Sequence, residues 1–170
     1  FGFRGEALAS IASVSELEII SSQEEQEGTV ITIQDGKCSP ITPSPMVTGT
    51  QITIRNLFYN TPARRKFLKS PRIELRQIIK SLKQAALSHP EVNFKLIADN
   101  KEILNVTSES LQERIASLFD PTYQENLLPV HLKKSEYSFS GYIGNLNLIR
   151  SRPEDQFIYL NRRFIKNRLL

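Results

Sequence analysis

Gly49-Thr50-Gln51-Ile52-Thr53-Ile54-Arg55-Asn56-Leu57-Phe58-Tyr59-Asn60-Thr61-Pro62-Ala63-Arg64-Arg65-Lys66-Phe67-Leu68 is the stretch that decides the fold of this 170-residue chain. A glycine turn feeds an alternating run from Thr50 to Leu57, which reads as a strand with Ile52 and Ile54 inward. An Asn/Thr/Pro helix start follows and carries a basic first turn. Cations in a first turn oppose the helix dipole, so their partner is expected outside the helix. Phe58, Tyr59 and Phe67 read as core packing in preference to base stacking.

Downstream, Leu75, Ile78, Ile79, Leu82 and Ala86 recur at helical spacing between Arg72 and Ser88, with Arg72, Arg76, Lys80 and Lys83 on an adjacent wet stripe. His89-Pro90 ends that helix. Val92 to Ile97 and Glu102 to Val106 form a hairpin around Asp99-Asn100, and a helix from about Ser110 to Phe119 takes Ser108 as its N-cap. Tyr137 to Leu148 and Gln156 to Leu160 read as strands, and Asn161-Arg162-Arg163 as a turn. Upstream, Glu6 to Ile11 is helix-compatible, Leu17 to Ile20 and Thr29 to Ile33 are short strands, and proline-rich Cys38 to Gly49 is an exposed connection. The sum is an α+β fold with helices on one sheet face. A change of domain is expected near Val106 to Ser110, giving portions 1–107 and 108–170.

Composition narrows the function classes. No apolar run approaches the roughly 18 residues of a spanning helix, and no signal pattern opens the chain, so a cytoplasmic location without membrane is the default. Cys38 is the single cysteine and His89 and His131 the only histidines, which removes disulfides and thiolate or histidine metal clusters from the reading. The net charge is +4, yet Arg64, Arg65, Lys66, Lys69, Arg72, Arg76, Lys80 and Lys83 fall between Thr61 and Lys83 against Glu74 alone. Such clustering fits a polyanion, since counterion release rewards adjacent cations. The first residue is Phe1 and the last residues carry no helix-ending signal, so the chain reads as an internal piece of a longer protein.

Gly2-Phe3-Arg4-Gly5-Glu6-Ala7-Leu8 sets two glycines where a loop turns into a helix, a corner whose free N–H groups and missing side chains suit a phosphate. Taken alone, such a corner is most often a plain turn. Together with Asn56 to Leu68, it resembles the signatures of the MutL family of mismatch-repair ATPases, within the GHKL-type superfamily shared with DNA gyrase and histidine kinases. The similarity continues through Phe157-Ile158-Tyr159-Leu160-Asn161-Arg162-Arg163 and covers essentially the whole chain.

The resemblance implies an incomplete GHKL-type ATPase α/β sandwich followed by the start of a ribosomal-protein-like α/β transducer domain. It implies that Gly2, Phe3, Arg4, Gly5, Glu6, Ala7 and Leu8 belong to the lid over ATP, and that Thr50 helps hold the adenine, directly or through water. Arg65, Lys66 and Lys69, with Arg162, Arg163 and Lys166, would meet DNA phosphates without reading sequence. The family's water-activating glutamate, its Mg2+-holding asparagine and the Asp-x-Gly-x-Gly segment that reads adenine belong upstream of Phe1, and its γ-phosphate lysine beyond Leu170. The cofactors implied are therefore ATP and Mg2+, with the metal ligands outside this segment, which alone should not hydrolyse ATP. The parent would be a slow ATPase that dimerises with ATP and couples a mismatch-recognition protein to a downstream nuclease or helicase, in the cytoplasm or, in a eukaryote, the nucleus. Two other readings are a nucleic-acid-binding module with no nucleotide role, resting on the Arg64 to Lys83 cluster with Arg150, Arg152, Arg162, Arg163, Lys166 and Arg168, and a gyrase-like topoisomerase subunit, which Asn56 to Leu68 argues against.

Overall fold

The computed structural model describes residues 6–23, 26–45, 48–149 and 156–166. Two compact units emerge, Phe1–Ser70 and Pro71–Leu170.

The first unit is built on an antiparallel five-stranded sheet. After helix α1 (Glu6–Ala12) come β1 (Glu16–Ser22), β2 (Gly28–Gln34), β3 (Lys37–Cys38), β4 (Thr42–Ser44) and β5 (Gly49–Arg55), then the single helical turn α2 (Pro62–Arg65). β1 is central, between β2 and β5, while β3 and β4 both pair with the outer side of β2. The proline-rich stretch read as a bare connection thus supplies β4 and the end of β3. Pro43 is tolerated because it stands opposite Thr29 in a short edge strand.

Register decides what each sheet face carries. Directly opposed residues share a face, so Leu17 stands with Ile33 and Ile54, Ile19 with Ile31 and Ile52, and Ser21 with Thr29 and Thr50. Two apolar rows and one hydroxyl row therefore line one face. Leu17 is buried, but Ile52 and Ile54 are each 45% exposed, which corrects their inward reading. Alternation identifies the apolar face of a strand but cannot supply whatever covers it.

The Asn56 to Asn60 segment ties one end of this sheet together. Phe58 N–H donates to Val14 C=O (2.7 Å), and Asn60 Nδ2 to Ser13 C=O (3.0 Å). Asn56 Nδ2 donates to Glu16 Oε2 (2.9 Å), whose other oxygen accepts from Gln34 Nε2 (3.4 Å). Tyr59 O–H donates to the Asp35 carboxylate, and that hydrogen bond holds the phenol above its ordinary pKa of 10.0. Asn56 (φ 53°) and Phe58 (φ 63°) both adopt the left-handed region, which is costly for Phe58 and is held in place by these contacts.

In the second unit, α3 (Pro71–Ser88) is followed by the hairpin β6 (Phe94–Ala98) and β7 (Lys101–Val106), α4 (Leu111–Leu118) and α5 (Tyr123–Asn126). The ladder of β8 (Leu127–Lys133) with β9 (Ser138–Gly144), a 3-10 turn Leu146–Leu148, and the hairpin β10 (Ile158–Leu160) and β11 (Arg163–Ile165) complete it. Ala86, Leu87, Val106 and Leu118 form its buried centre, with Phe94, Phe119, Phe157 and Tyr159 packed around them. Val106 and Leu118 share this core although the sequence reading sets a domain change after residue 107.

Three expectations change here. The N-cap of α4 is Ser110, because Ser110-Leu111-Gln112-Glu113 spells a capping box in which the Glu113 N–H meets Ser110 Oγ and the Ser110 N–H meets Glu113 Oε2. Ser108 instead gives its N–H to Asn93 Oδ1 (2.6 Å). Lys83 leaves the wet stripe of α3, its ammonium lying 4.5 Å from the centre of the Phe119 ring. Ile78, read as packed, is 52% exposed.

Arg114 joins the pieces of this unit and is fully buried. Its Nε donates to Glu109 (2.6 Å), and its terminal nitrogens donate to the carbonyls of Ala86 (3.0 Å), Pro90 (2.9 Å), Val92 (3.0 Å) and Thr107 (2.6 Å). A planar fork of five donors suits such a convergence of acceptors.

Candidate functional site

The first candidate is the hydroxyl row of the sheet. Gly49 opens β5 at φ 133°, a backbone angle that L side chains rarely adopt, so glycine is required there. Thr50 follows, exposed, with its Oγ1 2.9 Å from the Oγ of half-buried Ser21. Ser21 Oγ also donates to Gly49 C=O at 3.4 Å, and Thr29 Oγ1 donates to Ser21 C=O at 3.5 Å. The result is a polar edge beside the Ile19 and Leu17 rows, the apolar-with-polar-rim combination that suits a flat heteroaromatic base. Ser21 and Thr29 are absent from the sequence reading because each is an ordinary strand residue until the register is known.

Of the glycine corner, Gly2, Phe3, Arg4 and Gly5 lie outside the described residues, as do Arg150, Arg152 and Arg168. Glu6, Ala7 and Leu8 form the exposed first turn of α1. Thr50 stands at the opposite end of the β1–β5 ladder from the Glu16–Arg55 pair, where the turn after α1 is fastened.

The second candidate is the basic segment. Pro62 through Ser70 is exposed throughout, including Arg65, Lys66 and Lys69. Because α2 is a single turn, Arg64 and Arg65 stand in its last turn as much as in its first, where a cation favours the dipole. The dipole argument for an outside partner therefore does not hold, and exposure carries the case instead. Thr61 makes no side-chain cap bond, and its buried Oγ1 has no partner. Phe67 is 84% exposed, against its core-packing reading. Arg72, Arg76, Lys80 and Lys83, the rest of the basic run, belong to the second unit.

The third candidate is the tip of the β10–β11 hairpin, with Arg162, Arg163 and Lys166 all exposed. Asn161 (φ 48°) and Arg162 (φ 65°) form a two-residue turn with both centres left-handed, a conformation that favours glycine at the second place. Arg162 Nη1 donates to Glu91 Oε1 (2.5 Å) and lies 3.3 Å from His89 Nδ1. Glu91's own backbone N–H, the His89 ring and the Arg162 guanidinium together lower its carboxyl pKa to about 2. Among the described residues, no group of three or more His, Cys, Asp or Glu side chains could hold a metal ion, and no helix is long and apolar enough to cross a membrane.

Comparison with known proteins adds three observations. Residues 115–170 match the family profile described as DNA mismatch repair protein, C-terminal domain. The chain is 41% identical to the DNA mismatch repair protein MutL of Chlorobium phaeobacteroides over 99% of its own length and 27% of that protein's. It is 38% identical to the MutL of Dictyoglomus turgidum, over 99% and 30%. Among solved structures, the MutL ATPase domain of Aquifex aeolicus complexed with ADP superposes with a TM-score of 0.83 at 30% identity, across 96% of this chain and 64% of that one. The chain thus spans between a quarter and a third of its curated relatives. Signature residues, their order and the end-to-end likeness agree that this chain belongs to the MutL family of DNA mismatch-repair proteins.

Proposed function

We propose that the chain serves DNA mismatch repair as the lid-bearing, DNA-facing part of an ATP-binding matchmaker. The observation that carries this reading is the likeness, across 96% of the chain, to a MutL ATPase domain that holds ADP. In this reading residues 1–107 continue the ATPase domain and residues 108–170 open the transducer domain, the latter supported by the match over residues 115–170. Gly2 to Leu8 close over the triphosphate, and Thr50 meets the base at the hydroxyl edge of the sheet.

Nucleotide binding acts as a switch here: it orders the lid, promotes pairing of two copies, and exposes the dimer to a mismatch-recognition protein and a downstream nuclease or helicase. Exposed Arg65, Lys66 and Lys69, with Arg163 and Lys166, meet phosphate oxygens without sequence preference. Arg162 joins them when phosphate displaces Glu91. In this reading Mg2+ and water activation would fall to parts of the relatives' length that this chain does not span.

The test is limited proteolysis of the intact protein with and without a non-hydrolysable ATP analogue and Mg2+. The expected result is protection of the Phe1 to Leu8 segment with nucleotide bound. Cleavage there at an unchanged rate, with the analogue shown to be bound, would overturn the lid assignment.

A further inference from the structure

We propose that Glu91 is a built-in competitor for DNA: its carboxylate engages Arg162 as a phosphate oxygen would, and so holds back the affinity of the β10–β11 tip for a polyanion. This rests on the reading that the tip meets DNA phosphates. Three groups converge on the Glu91 carboxylate: its own backbone N–H, the His89 ring at 3.1 Å and Arg162 Nη1 at 2.5 Å. A guanidinium makes the same charge-assisted contact with a carboxylate as with a phosphate, so the two anions compete for one fork of donors. Together these groups bring the carboxyl down to about 2, and it stays charged throughout the neutral range. The competition is therefore not relaxed by protonation of Glu91.

Neither partner needs the pair to keep its place. Tyr159 fastens β10 to α3, its O–H donating to Gln84 C=O at 2.9 Å while its ring packs with Phe157 around the core of Ala86 and Leu87. Glu91 sits between Pro90 and Val92, whose carbonyls both accept from Nη2 of the buried Arg114, at 2.9 Å and 3.0 Å. The carboxylate thus stays beside the tip on a fixed backbone whether or not Arg162 is bound to it. Arg162 and Glu91 side chains are 63% and 49% exposed, so a phosphate can reach the guanidinium from solvent. An ion pair this exposed returns little stability, while Arg162 stands at φ 65°, where glycine would be unstrained. Folding alone does not account for a cation there, and a ligand does.

The experiment measures binding of the full-length protein to a labelled mixed-sequence DNA duplex by fluorescence anisotropy, without nucleotide and at constant pH and salt. The parent, Glu91→Gln, Arg162→Gly and the double variant are compared, with thermal midpoints recorded without DNA. Glutamine keeps the shape of the side chain and removes its charge. Glu91→Gln should tighten binding by about twofold to fivefold, the worth of one exposed ion pair, and Arg162→Gly should weaken it. In the Arg162→Gly background the gain from Glu91→Gln should be clearly smaller, since the cation it releases is gone. Arg162→Gly without effect on DNA overturns the reading of the tip and the Glu91 inference with it. Arg162→Gly weakening DNA while Glu91→Gln leaves affinity unchanged or lowered overturns the Glu91 inference alone. An equal gain in both backgrounds would reduce Glu91 to a long-range charge and likewise overturn it.

Discussion

Replacing Arg114 by methionine tests the construction of the second unit most severely. The side chain is fully buried and supplies donors to the carbonyls of Ala86, Pro90, Val92 and Thr107 as well as to Glu109. Methionine fills much of the volume and donates nothing. A buried acceptor left without a donor costs about 1–3 kcal/mol, and breaking a buried ion pair from one side costs about 3–5 kcal/mol. These do not add in full. Pro90 C=O keeps the Glu109 N–H at 3.0 Å, and the Glu109 side chain, 16% exposed, can take on some water. A loss of about 4 kcal/mol is the central expectation, a large share of the roughly 5–15 kcal/mol that holds an ordinary domain.

A second substitution separates the ion pair from the carbonyl clamp. Glu109→Leu combined with Arg114→Met removes the stranded carboxylate and leaves the carbonyls unserved, so the double variant should stay at least about 2 kcal/mol below the parent. Arg114→Lys should fall between, since one ammonium has three donors and cannot reach acceptors spread over three chain segments. Native-state hydrogen exchange at the amides of β6, β7 and α4 reads this unit directly. A loss under about 1 kcal/mol for Arg114→Met, the worth of one ordinary hydrogen bond, would refute the clamp.

Glu91, with its carboxyl pKa near 2 against an ordinary 4.5, should contribute stability that is present above the ordinary value and lost as pH falls toward 2. Carbon-detected titration of its carboxyl, with Glu91→Gln removing that part of the acid limb, checks this, and a midpoint at the ordinary value contradicts it. Arg162→Gly relieves the left-handed strain at φ 65°, by about 1 kcal/mol, and forfeits one exposed, solvent-screened ion pair, so stability should hardly move while DNA affinity falls. A thermal loss above about 2 kcal/mol would show that this arginine is retained for the fold. Residues 1–170 produced alone should self-associate through the face bearing half-exposed Ile52 and Ile54, and Ile52→Thr with Ile54→Thr should reduce this in light scattering. A sharp thermal transition in a monomeric parent chain would count against it.

What the sequence shows well is what local chemistry decides alone. Asp99-Asn100 and Asn161-Arg162 are both two-residue turns with left-handed centres. The helix from Arg72 to Ser88 matches α3 to within a residue at its start. Missed features depend on partners distant in sequence. β8 escapes notice because Pro129 interrupts its pattern, yet it pairs with β9 over its whole length. Lys83 reads as a surface cation until Phe119 lies beneath it. The cap of α4 is different: the Ser110-x-x-Glu113 spacing of its capping box is local, yet the sequence reading sets the cap at Ser108, whose N–H goes to Asn93.

The candidate site follows the same division, and the signature segment explains why. Its other half, Pro62 to Ser70, is exposed, whereas Asn56, Phe58, Tyr59 and Asn60 turn inward and bind Glu16, Val14, Asp35 and Ser13. In the proposed reading, that inward half acts on the nucleotide edge at a distance. Fastening Asn56 to Glu16 pins the end of the β1–β5 ladder where Glu16 opposes Arg55, and the same register brings Ser21 opposite Thr50 five positions further along. A slip of one residue would send Thr50 to the other face and leave Ser21 facing no hydroxyl on β5. Those inward residues therefore bear on the proposed site from a distance, through the register that sets two hydroxyls 2.9 Å apart.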